Sequence, residues 1–409
     1  MSEVVNAYIT SAGSYLPGPA IGNDEIENVL GFVEDKPSRL KSRILKSNGI
    51  QTRHYALDRQ QRSTHQNSEL ASRAAENCLD HLAFDRSKVD MLAVATTQGD
   101  LPLPGMASMV QAELNLPPCE ILTTHGVCSA GMMALKGAVN QVRLGEKSSA
   151  LVCASELASR LLKRSRYEAA SQCTLDLEAE FLRWMLSDGS GALLIQRQPN
   201  PRGLSLKVEW IDIMSFSSDF DLCMSCGTAD QAVWSQNVSE KMPELSYATV
   251  GVTAAERQAP TLSNNGSRAS ERSWQDYSTY AEAEKEGALL IRQNLRILDN
   301  IVKVGVDGFL RLIRAGKISA EGIDHFVCHY SSHYFRGKIL ELLKMCGAMI
   351  PEEKWFTNLY TKGNTGCASI FIALDELFWS ERLKPGEVIF CVVPESGRFT
   401  TAYMKLTVV

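Results

Sequence analysis

The chain has 409 residues, 44% hydrophobic and 22% charged, with a formal net charge of −5 at pH 7. That length suits one large domain or two fused halves of about 200 residues, and the composition is that of a chain able to bury a large core, not of a disordered one. The mild acidic balance argues against bulk binding to nucleic acid or to an anionic membrane.

Residues 1–17 show no basic leader followed by an apolar run, so no signal peptide is predicted. No stretch approaches the ~20 apolar residues that span a bilayer. A cytoplasmic location is expected. Residues 7–17 read as a strand ending in a Gly/Pro turn, 67–84 as an amphipathic helix and 89–98 as a β-rich run. A helix is predicted to begin near Pro104. Residues 119–131 lead into a helix over 131–145, followed by a strand over 148–157 and a glycine-punctuated strand pair over 186–198. The second half repeats the rhythm: a strand at 204–215, a long helix within 286–316, a strand at 325–330, a helix at 334–347, a helix from near Asn364, and closing strands at 386–396 and 401–409. Strands alternating with helices predict an α/β architecture with helices covering largely parallel sheets. The similar order suggests an internal duplication, with halves at 1–200 and 201–409.

Two segments break the rhythm: 159–180, basic and then acidic, and 231–281, polar and rich in Gly, Ser, Asn and Pro. Long irregular segments are functional or disordered more often than idle, so each is a candidate lid, entrance wall or partner surface, or else a tolerated surface insertion. The eleven cysteines are scattered through apolar stretches, as small core residues of a reduced compartment would be. Cys223 and Cys226 form a lone CxxC without a second pair or a Cys/His cluster at zinc spacing, so no metal is expected.

Cys128 stands where a strand-like segment ending at His125–Gly126 gives way to the small residues Ser129, Ala130 and Gly131 at the start of an apolar helix. A cysteine at a helix N-terminus meets the positive end of the dipole and free N–H groups, which favour thiolate. Thiolate is the nucleophilic form, so the position suits covalent catalysis. The other reading is a buried cysteine leading into a helix.

This elbow resembles the active-site turn of the ketoacyl-acyl-carrier-protein synthase III family, within the thiolase superfamily. The resemblance runs along most of the chain: the opening strand and turn at 9–18, the Gly-Ile-x-x-Arg element at 49–54, the strand and loop at 93–107, LSDGSGALL at 186–194, GNTGCASIFIALDEL at 363–377 and the closing hairpin. It implies a thiolase fold, two similar α/β halves in an α-β-α-β-α layering. It also implies a Cys128–His329–Asn364 triad, with His329 and Asn364 supplied by the second half. In a decarboxylative Claisen condensation the acyl group rests on the cysteine, and neutral His and Asn donate to the enolate oxygen. His329 follows a strand and precedes a helix, as the family pattern requires; His325 and His333 are the alternatives. Gly363 permits the turn that presents Asn364, which also suits a helix cap. His125 either lines the pocket or bonds structurally.

The chain departs from the pattern in three places. Tyr330, Ser331 and Ser332 replace the family's Gln-Ala-Asn after the histidine. The family tryptophan that stacks on the coenzyme A adenine falls near Arg43, which makes an acyl-carrier protein more plausible as donor than coenzyme A. The closing loop around Gly397 carries Glu395 and Arg398, which either pair or leave Arg398 for a carrier phosphopantetheine. Carrier proteins are acidic and need basic docking patches; the candidates are Lys36, Arg39, Lys41, Arg43 and Lys46, and Arg160, Lys163, Arg164 and Arg166.

The leading expectation is a stand-alone condensing enzyme, an acyltransferase of specialised fatty-acid-like or polyketide metabolism. It would use carrier-protein or coenzyme A thioesters as substrates and no cofactor, and would work as a homodimer. The alternatives are acyl transfer to an O or N acceptor without condensation, and a non-catalytic subunit of a heterodimeric synthase.

Overall fold

In a computed structural model the described residues are 5–229 and 273–409. Ten strands form one continuous hydrogen-bonded sheet: β1 (Tyr8–Tyr15), β2 (Met91–Thr96), β3 (Glu120–His125), β4 (Ser149–Glu156), β5 (Gly189–Gln196), β6 (Leu206–Ser215), β7 (His325–Cys328), β8 (Trp355–Phe356), β9 (Val388–Pro394) and β10 (Thr400–Val408). Their order is β8-β7-β9-β10-β6-β1-β5-β4-β2-β3. Read outward from the central β6–β1 contact, the first five strands run 1-5-4-2-3 and the second five run 6-10-9-7-8, the same order shifted by five. The pair directions repeat as well. This is the signature of an internal duplication.

The sheets are mixed, not largely parallel as the sequence suggested. β4, β2 and β3 are parallel neighbours, whereas β1–β5 and β5–β4 are antiparallel. The closing strands show why: β9 and β10 are joined by residues 395–399 alone, too short for the crossover that parallel neighbours need.

Seven helices of eight residues or more flank the strands among the described residues: α1 (Lys41–Asn48), α2 (Asn67–Asp80), α3 (Met106–Glu113), α4 (Ala130–Arg143), α5 (Asn300–Arg314), α6 (His333–Met345) and α7 (Ser369–Phe378). Side chains alternate across each strand, and the alternation sorts them into layers. Met91, Ala93 and Ala95 of β2 face a central core with α4 and α7, while Leu92 and Val94 face α2 and α3. Val327, Ile389, Cys391 and Val393 join the same central core, while Phe326, Cys328, Phe390 and Val392 face α5 and α6. The result is five layers, α2/α3, sheet, α4/α7, sheet, α5/α6, as the resemblance implied. The halves interlock: Ile26, Ile44 and Trp184 pack in the same cluster as Phe309, Phe335 and Phe390.

Three local expectations change. The helix expected within 286–316 is only α5; Gly287 has φ +81, and Arg292–Gln293 pairs with Met224–Ser225 in a small antiparallel ribbon. The strand pair at 186–198 is the single strand β5, with Leu186 bridged to Asn364. Residues 159–180 form short helices, Ser159–Leu162, Arg164–Ala169 and Leu177–Glu180, and are not an irregular loop. The second interruption, 231–281, lies outside the described residues up to 272. No helix among the described residues is long and apolar enough to cross a membrane.

Candidate active site

Cys128 lies in the turn between β3 and α4 and is 7% exposed. The N–H of Ala130 donates to the carbonyl of Val127 at 3.0 Å, closing the turn, and Ser129 is the last residue before the helix. The thiol is not activated in the way its helix-terminal place suggested. Burial pushes it well up, and the carboxylates of Glu395 and Glu156 push in the same direction. The backbone N–H groups of Cys128 and Ser396 oppose them at the sulfur. Desolvation of a thiolate outweighs the dipole of one helix end. The resting residue is therefore a protonated thiol facing two backbone donors.

His329 directly follows β7, and its N–H continues the ladder by donating to the carbonyl of Val392 at 2.9 Å. Its ring is buried, and desolvation lowers its pKa from 6.5 to about 4. The imidazole is thus neutral near pH 7, with Nε2 buried and without a protein partner. The alternatives are engaged elsewhere. His325 Nε2 lies 2.8 Å from Glu387, and His333 is exposed, with Nδ1 2.7 Å from the hydroxyl of Tyr360.

Asn364 sits on a braced loop. Its N–H donates to Met185 at 3.1 Å, and its carbonyl accepts from the N–H of Ser187 at 2.8 Å. Its Oδ1 accepts from the N–H of Gly366 at 3.0 Å, which fixes the amide and leaves Nδ2 as a donor with no described acceptor. Gly363 makes the turn possible: at φ +74 a Cβ would lie 2.8 Å from that of Ser187.

Cys128 forms part of the wall of two cavities. One, of about 620 Å³ with its mouth, also holds His329 and runs between α5 and α6. The other, of about 710 Å³, holds Asn364 and runs toward residues 157–186. Ser331 and Ser396 border both. Cys128 thus borders both cavities, one together with His329 and the other together with Asn364.

Glu156 is a member of the site that sequence reasoning did not single out. It ends β4, is buried, and accepts from the hydroxyl of Thr97 at 2.7 Å and the N–H of Cys367 at 3.1 Å. Burial raises its pKa. A Cβ on Gly366 would lie 2.8 Å from Glu156 Oε1, so that glycine makes room for the carboxylate. Glu395 is buried as well and accepts from the N–H of Ser129 at 3.2 Å and from its hydroxyl. It does not pair with Arg398, which is exposed and donates from Nε to the carbonyl of Phe220 at 2.9 Å. Gly397 accepts through its carbonyl from the N–H of Cys223 at 3.0 Å, anchoring the closing loop. Among the remaining candidates, His125 is exposed at the end of β3 and Arg43 is exposed on α1; neither borders the two cavities. Arg398 does not border them either.

The family model described as 3-oxoacyl-[acyl-carrier-protein (ACP)] synthase III C terminal matches residues 313–402, the stretch that holds His329, Asn364 and Glu395. The chain is 25% identical over 385 residues to the beta-ketoacyl-[acyl-carrier-protein] synthase III of Hyphomonas neptunium, covering 94% of this chain and 93% of that protein. Among solved structures it superposes on AbyA1, a tetronic acid condensing enzyme, with a TM-score of 0.71 at 18% identity, over 98% of this chain and 99% of that one. It superposes on 3-oxoacyl-(acyl carrier protein) synthase III of Pseudomonas aeruginosa with a TM-score of 0.67 at 20% identity, over 98% of each chain. Together with the duplicated strand order and five layers, these likenesses give the chain the thiolase fold, with its residues 313–402 similar to the C-terminal part of ketoacyl-acyl-carrier-protein synthase III.

Proposed function

We propose that the chain is a condensing enzyme that loads an acyl group on Cys128 and joins it by Claisen condensation to a malonyl- or β-ketoacyl-thioester. The observation that carries this reading is a buried thiol shared by two cavities and facing two backbone N–H groups, one cavity also bordered by His329 with its unpartnered Nε2 and the other by Asn364 with its fixed amide. In the first step Sγ attacks the donor thioester, the N–H groups of Cys128 and Ser396 hold the oxyanion, and the departing carrier thiol takes the proton. In the second, the malonyl group loses carbon dioxide, and the enolate oxygen accepts from neutral His329 and from Asn364 Nδ2. The α carbon then attacks the acyl carbonyl, and Cys128 leaves. Donors fixed where charge develops need no reorganisation during reaction.

An acyl-carrier protein is the proposed carrier. Arg160, Arg164 and Arg166 are each paired, with Asp100, Asp35 and Glu284, and Lys41 is held by Glu27. Arg43 and Lys46 on α1, and Arg39 just before it, are exposed and form no ion pair with a described residue. That face of α1 is the better docking surface for an acidic partner. A homodimer is proposed through β3, an outer strand of the sheet with Ile121 43% exposed, because an unpaired edge favours pairing with another chain. The altered residues after His329 favour specialised metabolism over primary fatty-acid initiation.

The test is intact-protein mass spectrometry after incubation with a panel of acyl-carrier and acyl-coenzyme A thioesters, followed by release of labelled carbon dioxide from malonyl-carrier protein. The expected result is an adduct lost in Cys128→Ala, and carbon dioxide release that depends on the adduct. An adduct without carbon dioxide release or product from any extender would indicate transfer without condensation, and no adduct from any donor would indicate a partner subunit.

A further inference from the structure

Of residues 395–399, which join β9 to β10, only Ser396 borders the cavities at Cys128, and it borders both. Its N–H is one of the two that hold the oxyanion in the reading above. A ring of hydrogen bonds fixes where that N–H points. Ser396 Oγ donates to Gln293 Oε1 at 3.3 Å. Gln293 Nε2 donates to the carbonyl of Cys223 at 2.7 Å. The N–H of Cys223 donates to the carbonyl of Gly397 at 3.0 Å, one covalent step from Ser396, and the N–H of Met224 reaches the same carbonyl at 3.2 Å. Ahead of Ser396, Glu395 is anchored on Ser129. Ser396 is thus held through its own side chain and through both neighbours.

The residue type at 293 supports this independently. Gln293 is 1% exposed. Burying an amide without partners costs roughly 2–7 kcal/mol, so packing alone would favour an apolar side chain. The Cys223 carbonyl can only accept, so Nε2 must face it, and Oε1 is left for the hydroxyl of Ser396. The base of the ring is fixed as well. The N–H of Asn294 also donates to the Cys223 carbonyl, at 2.7 Å, and Arg292–Gln293 pairs with Met224–Ser225. Cys223 of the CxxC serves here through its backbone; its thiol and that of Cys226 are both free.

We propose that Gln293 is a positioning residue for acyl transfer to Cys128, holding Ser396 so that the Ser396 N–H points at the oxyanion of the attacked thioester. This rests on the condensing reading above and adds a part to its machinery. Gln293 acts through Ser396 and not on the reacting atoms. A group displaced by about 1 Å loses much of its effect on a transition state. The same N–H also stands at the sulfur before reaction, so its aim bears on the free thiol too.

The experiment measures two things in Gln293→Met, Ser396→Ala and the double variant. One is single-turnover acylation by the thioester that loads native enzyme fastest, decanoyl-carrier protein being tried first. The other is the pH profile of Cys128 labelling by iodoacetamide. Each single variant should acylate about 10- to 100-fold more slowly at saturating donor, with KM for the donor little changed. The double variant should fall no more than about threefold below the slower single, because both substitutions break the same link. Both labelling profiles should move to higher pH. The titratable groups facing the sulfur, Glu395, Glu156, Cys367 and His329, are all retained in these variants. Native-rate acylation in Ser396→Ala, falls that multiply in the double variant, or profiles that superimpose on the native one overturn the proposal while leaving condensation standing. If Gln293→Met does not fold, Ser396→Ala decides by the same rate and profile. If no thioester loads native enzyme, the condensing reading falls and the labelling decides the rest: a move to higher pH in both variants supports the hold of Gln293 on Ser396, and superimposable profiles overturn it.

Discussion

Ser129 and Glu395, 266 positions apart, meet directly behind the nucleophile: the backbone N–H of Ser129 donates to Glu395 Oε2 at 3.2 Å, and its hydroxyl donates to the same oxygen. The first free N–H beyond Cys128 is thus spent on a carboxylate and not on the sulfur. The negative charge also raises the thiol, adding to burial.

Replacing Glu395 by Gln keeps an acceptor for Ser129 and removes the charge. Glu395→Gln should therefore alkylate faster with iodoacetamide at fixed pH, by roughly 3- to 10-fold, the effect of one nearby charge at intermediate dielectric. The check is the pH profile of Cys128 labelling. It should move to lower pH in the variant, and superimposable profiles would show that the carboxylate carries no charge beside the sulfur.

His329→Ala and Asn364→Ala separate the two half-reactions. Neither residue touches the backbone donors that serve acylation, so both variants should still gain the acyl mass. Each should lose condensation by about 10²–10³-fold, the scale of removing one oxyanion donor. Single-turnover product formation from preloaded enzyme measures this. Native-rate condensation in Asn364→Ala would remove that residue from the mechanism.

The parts of the site legible in the sequence are those set by local chain geometry. Cys128, His329 and Asn364 each stand where a strand or extended turn hands over to a helix amid small residues, and that pattern is written in neighbouring positions. The state of the thiol was not legible. The helix dipole is local, whereas Glu395 arrives from the far end of the chain and burial is a property of the assembled layers. Glu156 was missed because a glutamate closing an apolar strand reads as a solvent-facing end; its partners, Thr97 and Cys367, come from two other segments. The run at 288–298 read as helix because its apolar residues fit either pattern, and only the pairing of Arg292–Gln293 with Met224–Ser225 decides it.

The buried neutral state of His329 makes stability depend on pH. Its native pKa is lowered to about 4 from 6.5, so below pH 6.5 the unfolded chain binds a proton that the native chain refuses. The contribution is fully present above about pH 6.5 and is lost as pH falls toward 4. The gap is worth about 3 kcal/mol. Urea unfolding at pH 7.5 and 4.5 should show the native protein losing more stability than His329→Gln, which has no such proton. Equal losses would mean that the imidazole is protonated in the folded state.

Two helical glycines should respond to alanine with opposite signs. Helix propensity alone favours Gly→Ala by about 1 kcal/mol at each. At Gly131 the new Cβ would lie 2.7 Å from the carbonyl oxygen of Cys367 and 2.9 Å from Phe371, because α4 and the segment leading into α7 cross there. The obstructing atom is backbone, so it yields only by moving the turn that carries Asn364, and overpacking of this kind costs ~1–3 kcal/mol. Gly131→Ala should therefore lower the melting temperature and slow condensation. At Gly305 the Cβ enters open cavity, 4.0 Å from its nearest neighbour, so Gly305→Ala should raise the melting temperature. Calorimetry on the two variants decides it, and a stabilising Gly131→Ala would mean that α4 and the segment leading into α7 are not in direct contact.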